Sequence, residues 1–314
     1  MTQLLIDAYG RRIRKLRISV TDQCNLRCRY CMPLQANFMD KNRYLTPAQY
    51  GEIAAELQTY GLEEIRLTGG EPLLRGEFAE ILAALKPLKF KKLGLTTNGI
   101  LLDRYLDCLE ANGVTALNIS LDTLNSETFQ TLAYGRDLAK VLSNIALTRQ
   151  RRFRIKLNTV MMRGINDGEL FDLVEYAGDL DLEIRFLEVM RIGYACQNQS
   201  QWFISAAELI QRLESRYRLT PLESPQDATA FRYRLKNGPV VGFIASESQP
   251  FCGHCSRWRL GVDGTLRACL LKEDGVNLKH TTPARRRELY QTLLGLKPYR
   301  RPPEVPHAMH QIGG

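Results

Sequence analysis

Two groups of closely spaced cysteines carry the most evident chemistry in this sequence. Cys24, Cys28 and Cys31 have the spacing C-x3-C-x2-C, directly after a predicted strand. Three thiolates so close together can bind three corners of a cubane iron–sulfur cluster, which ordinarily takes four cysteines. Because no fourth cysteine lies nearby in the sequence, one iron would stay open, as catalytic metals require. The alternative is a zinc site, but zinc prefers four ligands and no histidine lies near this group.

The second group lies in the last third of the chain. Cys252, Cys255 and Cys269 have the spacing C-x2-C-x13-C. This spacing fits zinc, with His254 or a distant residue as the fourth ligand. It also fits a second iron–sulfur cluster that has three thiolate ligands and one open iron. The spacing alone leaves both alternatives open.

Basic and aromatic residues follow the second group at once, as Arg257-Trp258-Arg259. Two arginines that flank an aromatic residue can bind phosphates through bidentate hydrogen bonds. The alternative is a strand with alternating exposed charges. Beside a second cluster, the phosphate interpretation is favoured.

A glycine-rich motif, Gly69-Gly70-Glu71-Pro72, follows the second predicted strand. Paired glycines let the backbone approach a ligand closely and expose its N–H and C=O groups. A glycine pair alone also fits any tight turn. Since the motif follows the C-x3-C-x2-C segment on the same scaffold, it indicates a ligand-binding loop.

These motifs together resemble the radical S-adenosylmethionine enzymes, and their order over nearly the whole chain resembles the GTP 3′,8-cyclase family. The resemblance implies two [4Fe–4S] clusters, one on each cysteine group. The open iron of the first would chelate S-adenosylmethionine, whose reductive cleavage releases a 5′-deoxyadenosyl radical. The radical would take the ribose 3′ hydrogen of GTP, and the C3′ radical would add to C8 of guanine. The product would be (8S)-3′,8-cyclo-7,8-dihydro-GTP, in the first step of molybdenum-cofactor biosynthesis.

The resemblance also implies roles for individual residues. The residues beside S-adenosylmethionine would be Tyr30, Gly70, Ser120 and Met190. The residues that face GTP would be Arg17, Arg66, Thr96, Lys156, Arg257, Trp258 and Arg259. The catalytic set would be Cys24, Cys28, Cys31, Arg257 and Arg259. The terminal Gly313-Gly314 would reach the active site. The partners that the resemblance implies are a second copy of the chain, an electron donor and a downstream cyclic pyranopterin monophosphate synthase.

Some positions depart from the family pattern. Ser256 stands where asparagine is usual, Arg191 follows Met190 where proline is common, and the stretch 192–201 is atypical. These departures concern loop geometry, because no cluster cysteine is missing.

The elements that would position these motifs alternate regularly. Strand-like runs lie at 15–21, 64–68, 92–97, 116–122, 154–161 and 182–190, with helix-like segments between them. Six strand–helix repeats imply parallel strands with right-handed crossovers. We therefore predict an α/β fold, a partial (βα)6 TIM-like barrel over 1–200, with a C-terminal extension over 201–314 that carries the second cluster. A doubly wound sheet would also fit the pattern.

Composition sets broad limits. The chain of 314 residues has 44% hydrophobic and 25% charged residues and a net charge of +9, typical of a globular protein. We expect no membrane span, no secretory signal and a cytoplasmic location. The charge could suit nucleic acid or a polyphosphate, but we find no nucleic-acid motif and expect no such partner. Cys108 and Cys196 are predicted to be ordinary thiols.

Two other functions compete with the cyclase interpretation. One is another radical enzyme with an auxiliary cluster, such as a peptide-modifying one, although those usually carry more C-terminal cysteines. The other is a non-catalytic zinc or iron–sulfur binding module.

Overall fold

A computed structural model describes residues 3–303 and 309–312. Its twelve described strands are β1 Lys15–Ser19, β2 Glu64–Thr68, β3 Lys92–Thr97, β4 Ala116–Ser120, β5 Arg154–Met161, β6 Glu183–Glu188, β7 Leu219–Leu222, β8 Phe231–Leu235, β9 Val240–Ile244, β10 Arg257–Leu260, β11 Thr265–Arg267 and β12 Gly275–Asn277. The α-helices in this part of the chain are α1 Pro47–Thr59, α2 Phe78–Leu85, α3 Leu106–Ala111, α4 Ser126–Ala133, α5 Leu138–Arg149, α6 Leu170–Asp179, α7 Gln199–Trp202, α8 Ala206–Glu214, α9 Pro283–Gly295 and α10 Met309–Ile312. None of these described helices is long and apolar enough to cross a membrane.

All twelve strands form one sheet, in the order β12-β11-β10-β1-β2-β3-β4-β5-β6-β9-β8-β7. Strands β1 to β6 are parallel neighbours in chain order, which confirms the predicted α/β class and its six parallel strands. The last third of the chain adds one parallel strand at each edge of this set, β10 beside β1 and β9 beside β6. Cys252 and Cys255 lead into β10, and β1 leads into the first cysteine group. The pairing of β10 with β1 thereby brings the second cysteine group next to the strand that leads into the first group.

The predicted division at residue 200 stays a prediction. Strands from both sides of that position belong to the same sheet, so the C-terminal extension is continuous with the parallel strands.

The two faces of the sheet differ in polarity because side chains alternate along a strand. In β1, Leu16 and Ile18 are fully buried, whereas Lys15 and Arg17 on the other face are only half-buried. The same alternation of burial repeats in β2, β5 and β6, whereas in β10 polar and apolar residues alternate but Arg259 is also buried. The polar face of these strands and β3 carries the basic residues Lys15, Arg17, Arg66, Lys92, Arg154, Lys156, Arg185, Arg257 and Arg259. The apolar face forms the core, and the basic face is available to an anionic ligand.

Asp227, in the turn before β8, fastens the C-terminal extension to β1. Arg14 donates to its carboxylate from Nε at 3.0 Å and Nη2 at 2.8 Å, and Lys15 Nζ lies 2.8 Å away. Ser256 Oγ donates to the same carboxylate. Burial opposes the ionisation of Asp227, but these donors hold its pKa below the ordinary value. The unusual serine at 256 therefore has a defined partner.

Replacing Asp227 with asparagine should lower the free energy of unfolding by about 2 kcal/mol, because hydrogen bonds to charged groups contribute roughly 1.5–3 kcal/mol. Thermal unfolding at pH 7 measures the change. The matched control is Asp107→Asn, which removes an exposed carboxylate whose ion pair with Arg151 is 2.9 Å long. Exposed pairs contribute little, so the control should unfold like the parent. Equal stability of both variants would show that Asp227 does not fasten the extension.

Candidate active site

The first three thiols lie in the loop after β1, and α4 anchors this loop through Arg27 N to Ala133 O at 2.9 Å. The backbone N–H of Leu26 donates to Cys24 Sγ at 3.4 Å, and that of His310 donates to the Cys31 thiol. All three cysteines are half-buried and free of disulfides.

Burial raises the pKa of Cys24 to about 11, and the nearby Glu71 adds to this shift. Burial raises the pKa of Cys31 to about 12, with further contributions from Cys24 and Asp122. Burial also raises the pKa of Cys28 well above its ordinary value. The protein alone thus keeps these thiols protonated. A bound metal cluster would supply the positive charge that makes them thiolates.

The glycine-rich motif packs against the chain that leads to Cys24. Gly70 N donates to Thr21 O at 2.8 Å, and Glu71 N donates to Gln23 O at 2.8 Å. A Cβ atom on Gly70 would lie 2.2 Å from Gln23 O, and one on Gly69 would lie 2.4 Å from Thr21 O. The glycines therefore permit a close approach of two backbone segments of this chain. A contact between Gly70 and S-adenosylmethionine stays a prediction.

Glu71 links this motif to the end of β3. It is 1% exposed and accepts hydrogen bonds from Thr97 Oγ1 and Asn98 N, both at 2.7 Å. Burial raises the pKa of Glu71 to about 7, although these hydrogen bonds oppose the shift. Asn98 Nδ2 in turn donates to Asn25 Oδ1 at 2.8 Å, beside Cys24. Asn98 was not among the predicted site residues, although its place after a strand end was a usable signal.

Tyr30 is held at the ends of β4 and β5. Its hydroxyl donates to Asp122 Oδ2 at 2.8 Å, and Asp122 Oδ1 accepts from Val160 N at 2.7 Å. Ser120 lies in register with Asn158 at the same end of the sheet. Asn158 Oδ1 is buried and has no hydrogen-bond partner in the described part of the chain. Asn158 was not among the predicted site residues, and its unpaired acceptor lies on the strand next to Ser120.

The second three thiols have cationic neighbours. Arg257 Nη2 lies 3.6 Å and Lys297 Nζ 3.4 Å from Cys255 Sγ, and Leu271 N donates to Cys269 Sγ at 3.3 Å. Burial opposes ionisation of Cys255, but Arg257 and Lys297 lower its pKa to about 6.

Both groups therefore suit the same kind of occupant. Each offers three free thiols with N–H donors directed at sulfur, as an anionic cluster with one open iron requires. Within residues 3–303 and 309–312, no three His, Cys, Asp or Glu side chains form the ligand set of a single metal ion.

Four predicted GTP contacts, Arg17, Arg66, Arg257 and Arg259, lie on the adjacent strands β10, β1 and β2. Arg17 lies in register with Arg259 on one side and Arg66 on the other. Burial and the nearby Arg259, Arg257 and Arg66 lower the pKa of Arg17 well below its ordinary value. Burial likewise lowers the pKa of Arg66 and Arg259 to about 10. So many adjacent guanidinium groups repel one another, and a polyanion would relieve that repulsion.

Lys156 and Thr96 lie farther along the same face, each in register with Asn118. Lys156 Nζ is 2.5 Å from Glu183 Oε2, and Arg185 pairs with the same carboxylate at 2.6 Å. Burial and Arg185 lower the pKa of Lys156 to about 8. A phosphate contact by Lys156 would have to compete with Glu183.

Two further predicted contacts, Trp258 and Met190, have different surroundings from the arginines. The Trp258 side chain is fully buried in the core, with its ring centroid 6.0 Å from that of Tyr290, so it points away from the arginines on either side of it. Met190 packs with Ile192 and Leu271 in a small apolar cluster that includes Cys269. The structure thus places Met190 beside the second cysteine group.

The C-terminal helix α10 contacts both cysteine groups. Its His310 donates from the backbone to Cys31, while Met309 packs in the apolar cluster with Cys269. The predicted role of Gly313-Gly314 falls outside the described residues. The two remaining cysteines are Cys108 in α3 and Cys196 in the turn Gly193–Gln197.

Comparisons with known proteins identify the family to which this chain belongs. The family model described as Radical SAM superfamily matches residues 18–177, and that described as Molybdenum Cofactor Synthesis C matches residues 182–303. A GTP 3′,8-cyclase of Synechocystis sp. is 60% identical over 314 residues, which cover 100% of this chain and 96% of that relative. The chain belongs to the GTP 3′,8-cyclase family of radical S-adenosylmethionine enzymes. A GTP 3′,8-cyclase of Aquifex aeolicus is 35% identical over 281 residues, with 88% of each chain covered.

Family membership confirms the predicted cofactors, S-adenosylmethionine and two [4Fe–4S] clusters, and confirms an enzyme rather than a non-catalytic binding module. The fold is also that of Streptococcus suis SuiB bound to S-adenosylmethionine, with a TM-score of 0.66 and 14% identity, covering 91% of this chain and 68% of that one. At this identity the likeness concerns the fold alone. The roles of individual residues in this family member stay predictions.

Proposed function

We propose that this chain converts GTP to (8S)-3′,8-cyclo-7,8-dihydro-GTP, the reaction that starts molybdenum-cofactor biosynthesis. The observation that carries the proposal is the group formed by Arg17, Arg66, Arg257 and Arg259 on the polar face of the sheet. This group lies on β1, which leads into the first thiols, on its neighbour β2, and on β10, which follows Cys252 and Cys255.

The triphosphate of GTP would bind this arginine group. Arg257 and Arg259 are two residues apart in β10, so their side chains project from the same face, and Arg17 lies in register with Arg259. Guanidinium groups bind phosphate oxygens through paired hydrogen bonds. The base would then lie toward the second thiol group, and the ribose toward the first. Trp258 supports β10 from the core side and is no longer part of the proposed GTP contacts.

The residues around the first thiols would bind and orient S-adenosylmethionine. The Gly69–Glu71 segment offers backbone groups, while Ser120 and Asn158 offer side-chain groups at the strand ends. Tyr30, whose hydroxyl donates to Asp122, ties the thiol-bearing loop to those strand ends. When bound, the first cluster and S-adenosylmethionine supply the electron and the carbon radical for hydrogen abstraction. The protein contributes position and exclusion of water.

The remaining parts of the proposal concern location and partners. We include a cytoplasmic location, a homodimer, an external electron donor and a downstream cyclic pyranopterin monophosphate synthase. The family resemblance is the support for each. Chemical cross-linking and size-exclusion chromatography of the cluster-loaded protein would test the dimer.

The test of the activity is anaerobic. The protein is reconstituted with iron and sulfide and supplied with S-adenosylmethionine, dithionite and GTP, and the products are analysed by mass spectrometry. We expect 5′-deoxyadenosine together with a product isomeric with GTP. Formation of 5′-deoxyadenosine without conversion of GTP would keep the radical chemistry and reject GTP as the substrate. The peptide-modifying alternative would then become the leading one.

A further inference from the structure

A buried cation beside the second thiol group has no role in the chemistry derived above. Lys297 follows α9 and is 4% exposed. Its ammonium donates to Cys255 Sγ at 3.4 Å, Arg257 O at 2.8 Å and Ala268 O at 3.0 Å. All three of its N–H groups are therefore used. Because Ala268 directly precedes Cys269, this one ammonium joins the segments that carry two of the three thiols.

The ammonium needs a negative partner, because an unpaired charge in the protein interior is costly. Among the described residues, its negative neighbours are the thiols of Cys255 and Cys269, and no carboxylate pairs with it. The neighbouring cation Arg257 also contacts Cys255, but it is less buried and faces the proposed triphosphate site. The negative charge that balances Lys297 therefore has to come from the thiol group, either from its cysteines as thiolates or from an anionic occupant bound to them.

Arg11 fixes the backbone of Lys297 from the other side. Its guanidinium donates to Lys297 O at 3.0 Å, to Pro298 O at 2.8 Å and to Cys252 O at 2.7 Å. Unlike Lys297, Arg11 has a carboxylate of its own, since Asp7 Oδ2 lies 2.7 Å away and both side chains are buried. Arg11 therefore connects the third cysteine to the lysine without adding an unbalanced charge.

We propose that Lys297 is a positioning residue that holds the second cluster and raises its reduction potential, with Arg11 fixing the lysine in place. Reduction adds one negative charge to a cysteine-bound cluster, and a nearby buried ammonium stabilises the more negative form. The proposal rests on the second cluster and does not depend on GTP being the substrate.

The experiment measures the midpoint potential of the second cluster by EPR during an anaerobic redox titration. The parent is the full-length chain with Cys24, Cys28 and Cys31 changed to alanine, so that only the second cluster gives a signal. Lys297→Met and Lys297→Gln remove the charge, and Lys297→Arg keeps it. For the neutral variants we expect the ratio of reduced to oxidised cluster at a given potential to be about tenfold lower than in the parent. For a one-electron couple this corresponds to a midpoint potential that is lower by about 59 mV.

The matched control is Lys279→Met. The Lys279 ammonium also donates to three backbone carbonyls, those of Asn42, Arg43 and Tyr44, but lies away from the thiols. The Lys279→Met variant should leave the midpoint potential of the second cluster unchanged.

An unchanged midpoint potential in fully loaded Lys297→Met and Lys297→Gln would overturn the proposal. If the neutral variants lose the cluster while Lys297→Arg retains it, the requirement for a cation is supported; loss in all three would overturn it. Because neither GTP nor S-adenosylmethionine enters the assay, failure here is distinct from failure of the proposed activity.

Discussion

A single methyl group added at Gly70 should nearly abolish cleavage of S-adenosylmethionine. The new Cβ would lie 2.2 Å from Gln23 O and 2.6 Å from Gln23 C, and these are backbone atoms that cannot turn aside. The two segments would have to separate, and the hydrogen bond from Gly70 N to Thr21 O at 2.8 Å would break. Because Gln23 directly precedes Cys24, the separation displaces a thiol.

We expect Gly70→Ala to lower the rate of 5′-deoxyadenosine formation at least about 100-fold, since a shift of about 1 Å can have that effect. We also expect it to lower the stability by roughly 1–3 kcal/mol, as overpacking does. The measurements are 5′-deoxyadenosine per bound iron and the thermal unfolding temperature. Gly76→Ala is the matched control, because a Cβ there has no atom within 4 Å. Similar rates in the two variants would contradict the packing argument.

Arg17→Met should make the ligand-free protein more stable and bind GTP more weakly. Arg17 is held among Arg66, Arg257 and Arg259, and its lowered pKa shows that its charged form is disfavoured in the folded protein. Removing that charge relieves the repulsion when no anion is present. The same change removes a donor to the triphosphate. Such charge-assisted hydrogen bonds contribute about 1.5–3 kcal/mol, so the affinity should fall about 10- to 100-fold.

Thermal unfolding without nucleotide and anaerobic calorimetric titration with GTP measure these two effects. Arg151→Met is the matched control, because it also removes one positive charge, but from an exposed guanidinium paired with Asp107 and Glu110. It should leave the affinity for GTP unchanged and should not raise the stability. If Arg17→Met binds GTP as the parent does, the arginine group is not the triphosphate site.

The parts of the fold that the sequence predicted are those with a local cause. Each of the six parallel strands begins within a residue of its expected position, because apolar periodicity and flanking turns determine it. The dipeptide Asn237-Gly238 is typical of a hairpin turn and predicts two antiparallel strands around it, which are β8 and β9; Asn237 has a φ of 60°. The pairing of β10 with β1 and of β9 with β6 joins distant segments, so no local pattern could show it.

The sequence pattern over 203–218 predicts one helix, and the corresponding α8 is shorter in the structure. It begins at Ala206, where the Ser205 side chain caps Glu208 N at 3.2 Å, and ends at Glu214. The sequence offered the capping serine as a signal. At the other end, Leu219 already belongs to β7.

In the candidate site, too, the predictable residues were those that lie close together in the sequence. The cysteine groups were recognisable because cluster ligands come from one short segment, whereas Lys297 approaches Cys255 from 42 positions away. Asp227 likewise acts through contacts that only the folded chain creates, and the buried, unpaired acceptor of Asn158 is also visible only in the folded chain. For Trp258 a local rule was at hand: alternation along β10 directs it away from Arg257 and Arg259, toward the core.

The measurement that tests the central claim most directly uses GTP deuterated at the ribose 3′ carbon. The reconstituted protein is given this substrate with S-adenosylmethionine and dithionite, and the 5′-deoxyadenosine is analysed by mass spectrometry. The account predicts 5′-deoxyadenosine that is one mass unit heavier, with the GTP isomer lacking that deuterium. Unlabelled 5′-deoxyadenosine, formed while the GTP isomer keeps its deuterium, would contradict hydrogen abstraction from the 3′ position.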